Sequence, residues 1–305
     1  MDSIINGGER PYHIVMQAYG NEGVLQECIF ALLSFSKFHT PEECARVHFH
    51  IYTDQPEWFQ QYADCPLQLS FRTISKQDLK QWRGAIDFVH RVKIEVLRDF
   101  VKHHTGAVLY LDCDVHFLKP VLPLLQRIAA GELFMHVAES RLSDRENRMM
   151  KKLHDFFKKK QQVYNVDLDS MMWNAGVLGF TTDQALLLDE VLSFTDKAYA
   201  QYPKHVIEQF AFSYYFQQAG KIHSTTATVF HYWILAEAKS VLHSFFNHFK
   251  GQSWVSLLRY SELIQHHVIV QQKTSFFINR SLHGKIKKER WHPVIPDWSM
   301  LAEQM

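Results

Sequence analysis

Residues 107–115 read AVLYLDCDV, a run of five apolar residues followed by Asp112 and Asp114 with one residue between them. A short apolar run of this length is typical of a buried strand. In an extended backbone the side chains at positions i and i+2 point to the same side, so both carboxylates can face one divalent cation. Two carboxylates with open coordination positions suit Mg²⁺ or Mn²⁺ that is shared with substrate phosphates. The stretch therefore predicts a strand that ends at a metal site.

Strands and helices alternate along most of the chain. His13–Ala18 has the pattern of an apolar strand, and a helical pattern follows from about Gly23 to Lys37. Such alternation predicts an α/β fold with a doubly wound, mostly parallel sheet and helices on both faces, and ligands bind such sheets beyond the carboxyl ends of the strands. Further strands are predicted at Val47–Thr53, Leu67–Thr73, Leu133–Val137, Met172–Phe180 and Thr226–Trp233, and further helices at Trp58–Ala63, Ile86–Lys102, Leu122–Ala130, Gln184–Tyr202 and Val206–Gln218. The charged segment Arg141–Gln162 predicts a solvated helix.

The 305 residues are enough for one large domain or for two domains of roughly 150 residues each. The chain shows neither an internal repeat nor a low-complexity linker, and its pattern becomes mostly helical from Leu235 onward. We therefore expect one α/β domain over residues 1–233, which carries the site, and a C-terminal helical extension over residues 234–305 that packs on it.

Composition excludes several classes of function. The 33 Lys and Arg against 32 Asp and Glu leave a formal net charge of +1, so we expect no nucleic-acid partner. No apolar run approaches the roughly 18 residues of a membrane-spanning helix, and the first residues lack the basic and apolar regions of a secretory signal. The four cysteines include no CxxC pair, which indicates reduced thiols. These features predict a cytoplasmic protein without a transmembrane span.

The stretch Phe276–Trp298 mixes basic and aromatic side chains near the end of the chain. This composition is compatible with peripheral contact with a membrane surface, or with an acidic partner. A packed helix with a solvated basic face explains the same composition, and it is the interpretation that we favour.

Five landmarks in the sequence follow one another in a recognisable order. They are Arg91–Lys93 (RVK), Tyr110–Val115 (YLDCDV), Trp173–Gly179 (WNAGVLG), the Glu208–Gln209 pair and His231. This order resembles the glycosyltransferase family 8 group of GT-A fold nucleotide-sugar glycosyltransferases, in which YLDxDV is followed by a strand with NxGV, a DQ pair and a late histidine. The resemblance covers residues 14–233.

The resemblance implies a GT-A fold and a metal-dependent transfer of a sugar from a nucleoside diphosphate sugar, most simply a UDP-sugar. The acceptor hydroxyl would belong to a saccharide, a lipid or a protein, and the family's pattern implies retention of stereochemistry. Such a transfer needs a divalent cation and cationic side chains, because negative charge develops on the departing diphosphate. By the family's pattern Asp112, Asp114 and His231 would hold Mn²⁺ or Mg²⁺.

The family's pattern also implies roles for residues around the metal. Asn174 would contact sugar hydroxyls through its amide, and Glu208 and Gln209 would lie near the sugar or the acceptor; these three are the expected catalytic residues. A small residue after Asn174 would let the donor approach the backbone closely. The residues expected to bind the donor are Arg91, Lys93, Asp112, Ala175 and Gly176.

Two positions depart from the family's pattern. Glu208 stands where the family has Asp, and no lysine follows His231 at the spacing that would contact the diphosphate. Other basic residues must then supply this contact, and the candidates are Lys239, Lys250 and the run Lys285–Arg290.

Two other classes of function stay open. A non-catalytic GT-A-like domain that binds a nucleotide or a partner is favoured by the missing lysine. A nucleotidyltransferase that makes sugar nucleotides would need a Gly-rich, basic phosphate loop after the first strand. Gln17–Val24 has two glycines there but no Lys or Arg, so we rank this class last.

Overall fold

The apolar stretch before the two aspartates is a strand in the middle of a seven-stranded sheet. The structure is a computed structural model that describes residues 10–233, 235, 238–264, 266, 268–270 and 294–305. Its strands are β1 (Tyr12–Gln17), β2 (Val47–Thr53), β3 (Gln68–Thr73), β4 (Ala107–Leu111), β5 (Val115–Phe117), β6 (Leu133–Met135), β7 (Ala138–Arg141), β8 (Met171–Trp173), β9 (Val177–Thr181), β10 (Ile222–Ser224) and β11 (Val229–His231).

The central sheet is parallel except for one strand. Its spatial order is β10-β6-β9-β4-β1-β2-β3, and β9 alone runs against both of its neighbours. Two short antiparallel pairs, β5 with β11 and β7 with β8, lie beside it. The predicted α/β fold with a mostly parallel sheet is confirmed.

Helices cover both faces of this sheet. In β4, Leu109 and Leu111 lie in the core on one face, whereas Val108 and Tyr110 lie in the core on the other face. A central strand buried on both faces is continuously apolar, which is why AVLYL has no polar residue. The helices are α1 (Glu22–Ser36), α2 (Pro41–Cys44), α3 (Lys76–Arg83), α4 (Arg91–His103), α5 (Leu122–Ala129), α6 (Arg148–Lys159), α7 (Gln161–Tyr164), α8 (Leu186–Gln201), α9 (Val206–Ala219), α10 (Ala238–His248), α11 (Trp254–Ser261) and α12 (Trp298–Ala302), with 3₁₀ turns at Pro56–Tyr62 and Thr182–Gln184.

The C-terminal helices pack directly on the α/β core. Helices α10 and α11 lie against α1, and Phe245 and Trp254 share one continuous hydrophobic core with Ile29 of α1. Trp298 of α12 is buried as well and donates a hydrogen bond to Ser244 Oγ (2.9 Å). The division into domains at residue 233 stays a prediction, and the basic run Lys285–Arg290 lies outside the described residues.

Three predicted elements differ from the structure. The predicted strand Met172–Phe180 is two strands, because the chain turns away at residues 174–176 between β8 and β9. The helix predicted from Ile86 begins only at Arg91, after a turn in which Asp87 has a φ of 46°.

The charged segment Arg141–Gln162 was expected as a solvated helix, but α6 buries Met150, Leu153 and Phe157 on one face, with the spacing of a packed amphipathic helix. Among the residues that the structure describes, no helix has the length and apolar character needed to cross a lipid bilayer.

Candidate metal centre

The two aspartates lie where the β4 strand leaves the sheet. The backbone N–H of Asp112 donates to the carbonyl of Gly176 (2.8 Å), which ties the end of β4 to the loop between β8 and β9. The Tyr110 hydroxyl donates to Asp112 Oδ1 (2.7 Å), and the Asp114 carbonyl accepts from the N–H of Tyr232 (2.9 Å). Both carboxylates are therefore held by backbone and side-chain contacts at the carboxyl edge of the sheet, where the fold predicts a ligand.

His231 completes a group of three potential metal ligands. It ends β11 opposite Val115, and its Nε2 lies 3.0 Å from Asp114 Oδ1 and 3.9 Å from Asp112 Oδ2. One ligand atom from each of the three residues lies within 4.8 Å of the others, and no other such group occurs in the described part of the chain. The three residues that the family resemblance names as ligands are thus brought together, although Asp114 and His231 are 117 positions apart in the chain.

The hydrogen bonds of Asn174 determine which nitrogen of His231 carries its proton. Asn174 Oδ1 accepts from the backbone N–H of Gly176 (3.0 Å), so the amide oxygen, which has no proton, faces His231 Nδ1 at 2.8 Å. Nδ1 must donate, and neutral His231 then turns the lone pair of Nε2 toward Asp114 Oδ1. Two acceptors 3.0 Å apart need a proton or a cation between them.

This donor set fits a small divalent cation. Two carboxylates and one neutral imidazole suit Mn²⁺ or Mg²⁺, with further positions open to substrate phosphate oxygens. Burial acts to raise the pKa of Asp114, but a proton shared with His231, the positive charges of His231 and Lys239 and a backbone hydrogen bond together hold that pKa below its usual value. Asp114 is therefore ready to bind a cation as a carboxylate.

Gly176 leaves the room that the His231 ring occupies. A Cβ atom at position 176 would lie 2.0 Å from His231 Cε1, a distance that real side chains do not reach. Ala175 beside it is buried, and its carbonyl faces inward toward Lys93. The small residues of the WNAGV segment therefore let the imidazole approach the backbone, a requirement that the sequence alone attributed to the donor.

Lys93 is buried under the centre instead of lining it. Its ammonium donates to Asp112 Oδ2 (3.3 Å) and to the Ala175 carbonyl (3.0 Å), and it forms an ion pair with Glu208, whose Oε1 lies 3.4 Å away. Burial acts to lower the pKa of Lys93, but the two carboxylates hold it above its ordinary value. Lys93 therefore contacts Asp112 directly, and its predicted contact with a donor stays a prediction.

Glu208 and Gln209 occupy different environments. Glu208 is only 3% exposed, and its burial raises the pKa to about 7 against the opposing effect of Lys93. Gln209 of α9 is half-buried, and its Nε2 donates to Oε2 of the exposed Glu139 on β7 (2.9 Å). Gln209 is thus nearer the surface than Glu208, and the expected roles of both residues stay predictions.

Arg91 is not part of this group. Its guanidinium donates to both carboxylate oxygens of Asp196 (2.7 and 3.2 Å), to the Trp82 carbonyl (2.7 Å) and to Glu95 (2.9 Å). These contacts join α4 to α8 and to the end of α3. None of the contacts described for Arg91 involves Asp112 or Asp114, and its predicted contact with a donor stays a prediction.

An ion pair that sequence reasoning missed borders the centre. Glu27 of α1 is 2% exposed, lies 3.1 Å from the half-exposed Lys239 ammonium, and has its pKa raised by burial to about 7. The positive charge of Lys239 also acts to lower the pKa of Asp114, so the lysine lies within electrostatic reach of the metal ligands. In the sequence, this ion pair is indicated only by a glutamate within the apolar part of α1, because a buried glutamate needs a cation as its partner. Lys250 is exposed at the far end of α10.

A mostly apolar cavity of about 490 Å³ adjoins His231. Its walls include Phe230, Trp233, Leu235 and Val270, and the Trp233 ring lies 4.9 Å from the imidazole of His231. The cavity offers a substrate space next to the metal ligands, and the apolar residues that follow His231 in the sequence form part of it.

The similarity of this chain to known proteins is limited to its structure. No family model matches the chain, and no curated protein matches it in sequence. Mouse xyloside xylosyltransferase 1 is similar in structure with a TM-score of 0.49 and 14% identity, over 70% of this chain and 84% of that one. The glycosyltransferase GlyE of Streptococcus pneumoniae gives 0.44 and 13%, over 79% and 50%. An active-site mutant of LgtC gives 0.42 and 16%, over 66% and 70%. At such identities and TM-scores the activity must be inferred from the residues of the site.

Proposed function

We propose that this chain is a metal-dependent glycosyltransferase that transfers a sugar from a nucleoside diphosphate sugar, a UDP-sugar, to an acceptor hydroxyl. The observation that carries the proposal is the meeting of Asp112, Asp114 and His231 at the carboxyl edge of a mostly parallel sheet. Mn²⁺ or Mg²⁺ bound there would neutralise charge on the departing diphosphate. The protein's own contribution is to position the reactants and to supply further positive charge.

Lys239 is the residue that we assign to the diphosphate in place of the family's missing lysine. It is the described candidate whose charge acts on Asp114, and about half of its side chain is exposed. The carboxylate of Glu27 holds its ammonium from the buried side. A lysine held at one end and exposed at the other can pair with phosphate oxygens without first losing a favourable partner.

The acceptor would enter beside His231, where the cavity lined by Trp233 and Phe230 adjoins the ligands. Gln209 and Asn174 both donate to Glu139, and they would contact sugar hydroxyls through their amides. The acceptor would be a saccharide, a lipid or a protein, and stereochemistry would be retained. A cytoplasmic location, without a nucleic-acid partner, belongs to the same proposal.

Replacement of one ligand tests the proposal. A thermal-shift screen of nucleotides and sugar nucleotides with Mn²⁺ first identifies the UDP-sugar that binds. We expect Asp114→Ala to abolish Mn²⁺-dependent hydrolysis and transfer of that UDP-sugar. Glu190→Ala, which removes an exposed carboxylate of α8, is the matched control and should keep full activity. Equal melting temperatures of the two variants would show that Asp114→Ala is folded. Full activity of folded Asp114→Ala would contradict the metal assignment.

A second candidate is a GT-A-like domain that binds a nucleotide without catalysis. It is favoured by Lys93 and Glu208, because both are buried in contact with each other and neither presents its charged group to a substrate. Calorimetry with UDP and Mn²⁺ separates the two candidates. Binding of UDP without turnover of any UDP-sugar would support the second candidate, whereas turnover would support the first.

A further inference from the structure

A chain of hydrogen bonds leads from the protein surface to the metal ligands. Glu139 of β7 accepts from Asn174 Nδ2 through Oε1 (3.1 Å) and from Gln209 Nε2 through Oε2 (2.9 Å). Asn174 in turn contacts His231, because its Oδ1 accepts from His231 Nδ1 (2.8 Å). His231 Nε2 then faces Asp114. The side chains of Glu139, Asn174, His231 and Asp114 thus form a continuous series from the protein surface to the candidate cation position.

The chemistry of each group fixes the direction of this chain. A carboxylate can only accept, so Glu139 requires the NH₂ end of the Asn174 amide and turns the oxygen end toward His231. The N–H of Gly176 needs the same oxygen. If the amide were reversed, its NH₂ would face two donors, and neutral His231 would place its proton on Nε2, where a cation must bind.

We propose that Glu139 is a positioning residue for the metal centre: through Asn174 it holds the His231 proton on Nδ1 and leaves the Nε2 lone pair free for the cation. The inference rests on the metal site of the proposed function. It adds a residue that no sequence motif marked, since Glu139 is exposed and lies in a strand of mixed polarity. Partners that orient a metal-binding histidine through its other nitrogen commonly change metal affinity by about 10-fold or more when they are removed.

Calorimetric titration of the full chain with Mn²⁺, without any nucleotide, tests this role. We expect Glu139→Ala to bind Mn²⁺ about 10-fold more weakly than the unaltered chain. Glu139→Gln should stay within about threefold, because its amide oxygen still accepts from Asn174 and Gln209 can turn its own amide to match. Glu146→Ala removes another exposed carboxylate, one whose side chain makes no described hydrogen bond, and is the matched control.

Each outcome of the titration has one meaning. Unchanged affinity in Glu139→Ala would overturn the positioning role and leave the proposed function standing. Equal weakening by Glu139→Gln and Glu139→Ala would also overturn it, since charge and not hydrogen bonding would then be responsible. Absence of Mn²⁺ binding in the unaltered chain, by contrast, would overturn the metal site itself and both proposals with it.

The position of the proton on His231 gives a second test. It would not change in Glu139 variants if Glu139 had only a structural role. Nitrogen-15 NMR of the imidazole, assigned by the loss of its signals in His231→Gln, should show a proton on Nδ1 in the chain loaded with diamagnetic Mg²⁺ and in Mg²⁺-loaded Glu139→Gln. We expect Glu139→Ala to show a mixture of the two neutral forms before any metal is added. A single Nδ1–H form in that variant would contradict the inference.

Discussion

Two polar clusters, each built around a buried histidine, lie at opposite ends of the same strands. The carboxyl-end cluster comprises Asp112, Asp114, Asn174 and His231, beyond the end of β4. The imidazole cluster comprises His13, His48, His50 and His104; its members start near the beginning of β1, where Tyr12 lies beside Ala107 of β4. In both clusters a neutral oxygen fixes the proton of one histidine. The clusters differ in what faces the second nitrogen of that histidine.

In the imidazole cluster the close partners are other imidazoles, the Thr105 carbonyl and the ring of Phe100. His13 Nε2 donates to the Thr105 carbonyl (3.1 Å), so His13 Nδ1 accepts from His50 Nε2 (3.1 Å). Burial, followed by the neighbouring imidazoles, lowers the pKa of His50 to about 3. In the carboxyl-end cluster the partner of His231 is a carboxylate. Buried histidines without an acidic partner stay neutral and only fill space, whereas histidine beside two carboxylates forms a site for a cation.

The largest effect should follow from removing the buried ammonium group of Lys93, which lies next to the carboxyl-end cluster. Lys93→Met leaves Asp112 and the buried Glu208 without their shared partner, and we expect a loss of about 3 kcal/mol in the free energy of unfolding at pH 8. The loss should be smaller at pH 6, where Glu208 takes up a proton because its pKa is about 7. Urea denaturation at both pH values measures this, and Lys93→Met combined with Glu208→Gln should recover part of the stability. A loss that did not depend on pH would contradict the assignment.

The next effect concerns acid stability and the imidazole cluster. The pKa of His50 is lowered on folding from 6.5 to about 3, so the unfolded chain binds more protons in between, and stability is complete above pH 6.5 and falls as the pH is lowered toward 3. Each such histidine contributes about 1.4 kcal/mol for every pH unit well inside this window.

His50→Gln, which keeps a hydrogen-bonding group for His13 but does not titrate, should therefore decline less steeply between pH 6 and pH 4 in chemical denaturation. His248→Gln, at an exposed position, is the control and should follow the unaltered chain. Identical pH profiles for His50→Gln and the unaltered chain would show that the imidazole cluster takes up its protons without unfolding.

The smallest change in stability, with a specific loss of binding, is expected at Gly176. A Cβ there would lie 2.0 Å from His231 Cε1, so Gly176→Ala must push the imidazole away from Asp114. We expect a loss of about 1–3 kcal/mol from overpacking, together with loss of Mn²⁺ binding by calorimetry. Gly220→Ala is the matched control, because its Cβ would lie 3.8 Å from the nearest atom. Retained Mn²⁺ affinity in Gly176→Ala would remove His231 from the ligand set.

Local pattern was sufficient for most of the fold. The spacing of apolar residues predicted β4, the flanking helices and the mostly parallel sheet, because periodicity and burial are properties of neighbouring residues. The same pattern failed at Met172–Phe180, where the apolar residues on both sides of Asn174 concealed the turn at residues 174–176. It also failed for α6, whose run of lysines concealed three apolar residues on one face.

The sequence by itself determined that two carboxylates follow a buried strand, and an i, i+2 spacing is enough to place them on one side. Only the tertiary structure decided which distant groups meet them. His231 reaches Asp114 from β11, and Asn174 reaches His231 from the turn between β8 and β9. Lys93 pairs with Asp112 and Glu208, and Arg91 pairs with Asp196. The physical reason is that a hydrogen bond or an ion pair depends on distances of about 3 Å, which chain spacing does not specify once the partners belong to different elements. A motif can therefore name a residue type at a site, but the packing of the elements decides whether that residue faces a ligand or another part of the protein.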